Sequence, residues 1–260
     1  MKNSKTTFTK EFFDWAYVKN FKDVIETLAN MAEPEPWQYS NNPNSHSAYP
    51  ILESYLKYTY KKVSKENKIA FDKSNSLCCF NTGLVTVNQE PIYIEFKENT
   101  APGVQYWMFN ALFRQGEYEA TNYEALPDMA SYYDDASRLV YDTKKELFVN
   151  YEHIINDNKD RFPAPYNSMT DYQLSTYLKG CVDATLKRVR RDYKIAIPQF
   201  YNGSIQLLLP LCLTTRTRAD LALAVEDFGS SYRAATCLTL DMALKNARLL
   251  NRPNTEWLKS

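Results

Sequence analysis

The stretch that most restricts how this 260-residue chain can fold runs from Ala196 to Leu238. Ala196-Ile197-Pro198-Gln199-Phe200 and Ile205 to Leu213 are two apolar-rich runs meeting at Asn202-Gly203. Asn-Gly between such runs favours a tight hairpin, because both central residues of that turn take positive φ. Pro198 has no N–H, so its strand must lie at a sheet edge or be interrupted there. Asp220 to Glu226 and Tyr232 to Leu238 add two more strands around Gly229, and Leu240 to about Leu250 reads as a closing helix that stops before Arg252-Pro253. Strands joined in order by short turns pair antiparallel, so this region is expected to be a β-meander closed by a helix.

Upstream, the apolar period changes to that of helices. Thr9 to Met31 carries Phe12, Phe13, Ala16 and Tyr17 at helical spacing and ends at Glu33-Pro34-Glu35-Pro36; Pro50 to about Lys65 is a second, aromatic-rich helix. Lys68–Asp72, Leu77–Asn81 and Ile92–Lys97 read as short strands, and Glu146 to Asn158 as helix. Thr170-Asp171-Tyr172-Gln173 is a capping box, and Leu174, Leu178, Val182 and Leu186 continue the helix it opens. The expectation is an α+β fold with an antiparallel or mixed sheet and flanking helices. It would form one domain over residues 1–260, with a helical N-terminal segment, 1–66, packed on the α+β body.

Composition narrows the function. Six glycines in the whole chain, with no G-x-G-x-x-G and no G-x-x-x-x-G-K-[ST], exclude the usual glycine-rich phosphate cradles. Net charge is zero, 31 basic against 31 acidic, which argues against non-specific coating of nucleic acid. The balance is uneven along the chain: residues 1–150 carry 16 basic against 20 acidic, a net of −4, and residues 151–260 carry 15 against 11, a net of +4. Nine of the 11 arginines fall in that second part, so an anionic ligand is expected there. Five cysteines, Cys78, Cys79, Cys181, Cys212 and Cys237, form no disulfide or metal-ligand pattern and read as small buried hydrophobes. With no apolar leader segment and no run long enough to span a bilayer, the expected setting is the cytoplasm, away from membranes.

Several longer runs carry a family resemblance. Arg188 to Tyr201 with Ile205 to Leu213, Ala219 to Leu223, Leu238 to Ala243, Asn246 to Leu249, and Arg252-Pro253 with Trp257-Leu258 resemble the family catalogued as domain of unknown function 3825. Phe80 to Leu84, Asn150 to Ile155, and Asn158 with Arg161-Phe162-Pro163 extend the resemblance over most of the chain. Asp192 stands where the family pattern has Asn, and Leu244 where it has an aromatic residue. The resemblance implies RNA-related company, such as fusion to small RNA-binding modules, and no established reaction.

The candidate site residues follow from charge and spacing. Lys187, Arg188, Arg190, Arg191 and Lys194 lie within eight residues, more cations than a helix C-terminus needs for its dipole. Arg188, Arg191 and Lys194 are therefore expected to hold phosphate. Lys187, Arg191 and Lys194 would share a helix face. Gln199 and Tyr201, two apart on a strand, point to one face and can read a base or sugar. Asn81 and Thr82, just before Gly83, form either an anion-binding nest or, more simply, a turn. Arg248, near Asn246 in the last helix, is a further phosphate candidate. His153 and Tyr193 are the proton-transfer candidates, although a hydrogen-bonded structural role also fits His153. Asp220 and Asp241 can bind a magnesium ion or serve, respectively, as an arginine partner and a helix-start acid. Two histidines, His46 and His153, do not make a metal site, so no metal and no cofactor is expected.

Two readings follow. The leading one is a phosphoester hydrolase or nuclease-like enzyme acting on RNA or a nucleotide through an Arg/Lys phosphate site. The other is a non-catalytic module binding RNA ends or nucleotides. A plain interaction scaffold is favoured instead if the arginines turn out buried against carboxylates.

Overall fold

The computed structural model describes residues 11–39, 47–101, 103, 105–250 and 252. The chain divides into two compact units, Met1–Ser131 and Tyr132–Ser260. Each is α+β and each holds one five-stranded mixed sheet.

The first unit contains α1 (Phe12–Trp15), β1 (Ala16–Tyr17), α2 (Phe21–Met31), α3 (Pro50–Lys65), β2 (Ala70–Phe71), β3 (Leu77–Val85), β4 (Pro91–Glu98) and β5 (Trp107–Arg114). The sheet order is β1-β5-β4-β3-β2, with β1 parallel to β5 and the other pairs antiparallel. One long helix from Thr9 was expected. Thr9 and Lys10 lie outside the described residues, and the rest is broken in two. Ala16 and Tyr17 pair with Trp107 and Met108, and Asn20 takes a left-handed conformation (φ 54°) that turns the chain into α2. Asn tolerates that conformation better than most residues. The helix over Pro50–Lys65 forms as expected, with Ile51, Leu52, Tyr55, Leu56 and Tyr60 buried. Its inner face meets an aromatic core. Trp15 stacks on Tyr60 at 4.7 Å and meets Phe96 at 4.8 Å, and both Trp15 and Trp107 are fully buried. Rings of this size bury the most apolar area per side chain, which anchors α1 and α3 to β3 and β4.

The second unit contains β6 (Glu146–Val149), α4 (Tyr151–Asn158), α5 (Asp171–Val189), β7 (Ile197–Tyr201), β8 (Ser204–Leu211), β9 (Leu221–Asp227), β10 (Ser231–Thr239) and α6 (Leu240–Ala247). The sheet order is β6-β10-β9-β8-β7. The meander forms as expected, and Pro198 lies on the edge strand β7. Glu146 to Val149 is a strand rather than the start of a helix, because it pairs in parallel with Ser231–Ala234. Asn150 then caps α4, its Oδ1 accepting from the His153 N–H at 3.1 Å. The Thr170–Gln173 capping box is present in both directions. Leu174, Leu178, Val182 and Val189 of α5 pack with Leu207, Leu209, Leu211, Leu221, Leu223 and Val225 of the sheet. Each such side chain contributes about 1.5–3 kcal/mol when fully buried.

The strand β10 carries a register shift between Ala234 and Thr236. Asn158 serves that irregularity, its Oδ1 accepting from Thr236 Oγ1 and the Cys237 N–H, both at 2.8 Å, while Arg161 donates to the Cys237 carbonyl at 2.6 Å. Among the described residues no helix is long and apolar enough to cross a membrane.

Candidate functional site

The capping box fixes the start of α5, and the Leu-rich stripe fixes which side of it faces the sheet. Away from the leucines run Tyr172, Thr176, Gly180, Ala184 and Arg188, every fourth residue, a row that winds about 160° round the helix axis from end to end. Because Gly180 and Ala184 have little or no side chain, the middle of that row is hollow. A Cβ added at Gly180 meets no atom within 4 Å. The hollow belongs to a cleft of about 780 Å³ between α5 and the loop after β8, whose wall includes Cys212, Leu213, Thr214, Thr215 and Arg216.

That loop is firmly held. Asp220 accepts from the Leu213 N–H (2.7 Å), the Thr214 N–H (2.9 Å) and Thr214 Oγ1 (2.7 Å). From the helix side, Tyr166 and Tyr177 both donate to the Leu213 carbonyl at 2.7 Å. Cys181 Sγ donates to the Cys212 carbonyl at 3.6 Å. The Arg188 guanidinium donates to Cys212 Sγ at 3.1 Å and to the Arg216 carbonyl. Both cleft walls are therefore preorganised.

The electrostatics follow from the lining. No Asp or Glu lines the cleft itself; the Asp220 carboxylate is bonded to the Leu213 and Thr214 wall from behind. Its hydrogen bond to Tyr166, with partial burial, raises the Tyr177 phenol to about 12, and burial raises the Cys181 thiol to about 11. Both are neutral donors at pH 7, which leaves Arg188 and Arg216 as the charged groups lining the walls, with the Asp220 carboxylate behind one of them. Among the described residues, no ion pair engages Arg188, Arg191 or Arg216.

The residues singled out by sequence do not converge on one place. Arg188 lines the cleft; Arg191 and Lys194 do not. The helix ends at Val189, so the expected shared face of Lys187, Arg191 and Lys194 does not exist; Lys187 pairs with Asp183 at 2.6 Å. Tyr193 is exposed with the Lys194 ammonium 5.9 Å from its ring centre. His153 is exposed on α4, its Nδ1 3.3 Å from Asp157 Oδ2, and neither it nor Tyr193 lines the cleft.

Gln199 and Tyr201 do share a strand face, but Gln199 is buried. Its amide donates to Gln206 (2.7 Å) and accepts from Asn246 (3.1 Å), while Gln206 donates to Glu226 (2.7 Å). The row Gln199–Gln206–Glu226 is in cross-strand register, and α6 closes over one end of it. This is an internal amide ladder, and Arg248 is buried at the end of the same helix. Asn81 and Thr82 belong to the first unit and sit inside β3 rather than at a turn. Pairing there skips from Asn81 to Val85, Asn81 Oδ1 accepts from the Gly83 N–H at 2.8 Å, and Thr82 Oγ1 donates to the Ile92 carbonyl at 2.6 Å. Their polar atoms serve this bulge. Asp220 pairs with the loop instead of Arg216 or Arg218. Asp241 lies in the first turn of α6, which Thr239 caps, and burial raises its carboxyl. No cluster of three or more potential metal ligands occurs among the described residues. His46, Pro253, Trp257 and Leu258 lie outside them.

Sequence reading missed Tyr172, Thr176, Tyr177, Thr214, Thr215 and Arg216. The signal available was a four-residue period in α5 that runs Tyr172, Gly180 and Arg188 in a row beside its leucine stripe. Two of the five cysteines, Cys181 and Cys212, are half-buried at this cleft rather than core-buried as expected. No curated protein and no solved structure matches the chain. The chain belongs to the family described as domain of unknown function (DUF3825), whose model matches residues 28–257.

Proposed function

We propose that the second unit is a binding module for a phosphate-bearing ligand, an RNA or a nucleotide, held in the α5 cleft with Arg188 as its phosphate contact. One observation carries this reading. Arg188 is half-buried in the wall of a roomy cleft, is held in position by Cys212 and the Arg216 carbonyl, and forms no ion pair among the described residues. A positioned, uncompensated guanidinium is the group best suited to bind phosphate. It also speaks against the plain scaffold, which needs its arginines paired internally. Hydrolysis needs a proton-transfer group beside the phosphate, and His153 and Tyr193 both stand outside the cleft lining. Binding is therefore the better-supported reading.

The test is a titration of Arg188→Ala and Arg191→Ala with a 5′-phosphorylated nucleotide. A charge-assisted hydrogen bond contributes about 1.5–3 kcal/mol, so Arg188→Ala should bind at least about ten-fold more weakly. Arg191→Ala should bind within about two-fold of the parent. Binding should weaken with added salt. Equal affinity of parent and a folded Arg188→Ala variant would end the proposal.

A further inference from the structure

We infer that the ligand of this cleft is a single nucleic-acid strand several nucleotides long, laid lengthwise along α5 with a base on Tyr172 and a phosphate at Arg188. The inference rests on the phosphate-binding reading of the same cleft and specifies its ligand. The two ends of this winding row, about 160° apart round the helix axis, differ in chemistry. At one end Tyr172 is 82% exposed, on a first turn locked by the Thr170–Gln173 capping box. At the other end stand Arg188 and Arg216. Both ends line one continuous cleft.

Sixteen helical positions at about 1.5 Å each separate Tyr172 from Arg188 by about 24 Å along the axis. A stacked strand advances only about 3.4 Å per nucleotide, so one nucleotide cannot reach both ends and a run of roughly four to seven can, depending on how far it unstacks. Between the two ends the floor is cut down at Gly180 and Ala184, and Thr176, Thr214 and Thr215 stand along the walls, with the Asp220 carboxylate behind Thr214 bonded into the loop. An aromatic platform with a cationic track is the general design for single strands. A trough over small residues can also receive a helix of a second copy of the chain. The guanidiniums at its end favour the polyanion.

The experiment measures binding of inorganic phosphate, adenosine 5′-monophosphate and 5′-phosphorylated oligoadenylates of two to eight residues to the full chain. Affinity should climb with length up to roughly four to seven nucleotides and then level off. Tyr172→Ala, at a solvent-exposed position, should weaken the octamer about ten-fold and leave phosphate and the mononucleotide unchanged. Gly180→Leu, whose side chain enters open space, should do the same by filling the trough, whereas Arg188→Ala should weaken every probe. Affinity independent of length, or an octamer unaffected by both Tyr172→Ala and Gly180→Leu, overturns the extended strand while phosphate binding itself survives. Equal competition by a duplex, or a dimer in sedimentation that Gly180→Leu dissociates, also overturns it. If no probe binds, the phosphate site fails together with the strand.

Discussion

Gly83 and Gly180 call for opposite outcomes on the same substitution. Gly83 has φ 73°, and a Cβ built there would come 2.5 Å from the Tyr55 hydroxyl. Gly83→Ala should therefore lower stability by about 1–3 kcal/mol, through strain and displacement of a buried ring. Gly180 is exposed in mid-helix with open space around it, so Gly180→Ala should raise stability by about 0.5–1 kcal/mol. Urea melts of the two variants, read against the parent, check both signs. A third residue prediction concerns pH. The Lys145 ammonium lies 2.8 Å from both Asp227 oxygens. Partial burial pushes the Asp227 carboxyl up, but Lys145 and the Gly229 N–H outweigh it and hold it below its ordinary 3.8. A depressed carboxyl contributes stability above its unfolded value and loses it as pH falls through the folded one. Asp227→Asn should thus cost up to about 1 kcal/mol at pH 7, with the gap to the parent closing as pH drops below about 4. At this scale the sequence told which side chains carry charge and which φ values glycine must take, but not who touches whom. Gln199 illustrates the limit: its strand face was legible from the period of two, while its burial under α6 depends on a helix some forty residues away.

Among the elements, those specified locally were the ones read correctly. α5 announces itself by a capping box and a leucine stripe, α3 by Pro50 and its aromatic period, and the β7–β8 hairpin by Asn-Gly. Elements that exist only through a distant partner were misread or missed. β6 is four residues long and is a strand because β10 lies beside it; β1 needs β5 in the same way. β5 itself buries Trp107 and Phe113 without a clean alternation, so no period of two marks it. The two kinds of element respond differently to mutation. Thr170→Ala removes a local cap and should cost about 1 kcal/mol. Gln199→Leu instead strands the Asn246 amide donor and the Gln206 carbonyl in a buried row, where each unpaired group costs about 1–3 kcal/mol. It should be the more damaging of the two, and thermal melts of both variants compare them directly.

At the scale of the molecule, the question is what holds together when part of the chain is removed. One domain over residues 1–260 was the expectation; the contacts gather into two compact units divided after Ser131, and truncation is the experiment that measures their independence. Ending the chain before Asp220 deletes β9, β10 and α6. In the sheet order β6-β10-β9-β8-β7, that removes two of the three interior strands and leaves β6 and the β7–β8 hairpin with no strand between them. It also takes Leu221, Leu223, Val225, Ala234 and Cys237 from the face on which α4 and α5 rest, and it takes the Asp220 carboxylate that holds the cleft loop. An isolated two-stranded hairpin is marginal in water, so the second unit should lose its fold entirely rather than shrink. The first unit keeps all five strands of its own sheet and its Trp15–Tyr60–Phe96 core. Hydrogen exchange on a chain ending at Ala219 should then show protection kept across residues 77–114 and lost across 171–211. Protection persisting in α5 and the β7–β8 hairpin would mean that β9 and β10 are not what holds the cleft in place. Loss of protection in both regions would instead mean that the two units fold as one.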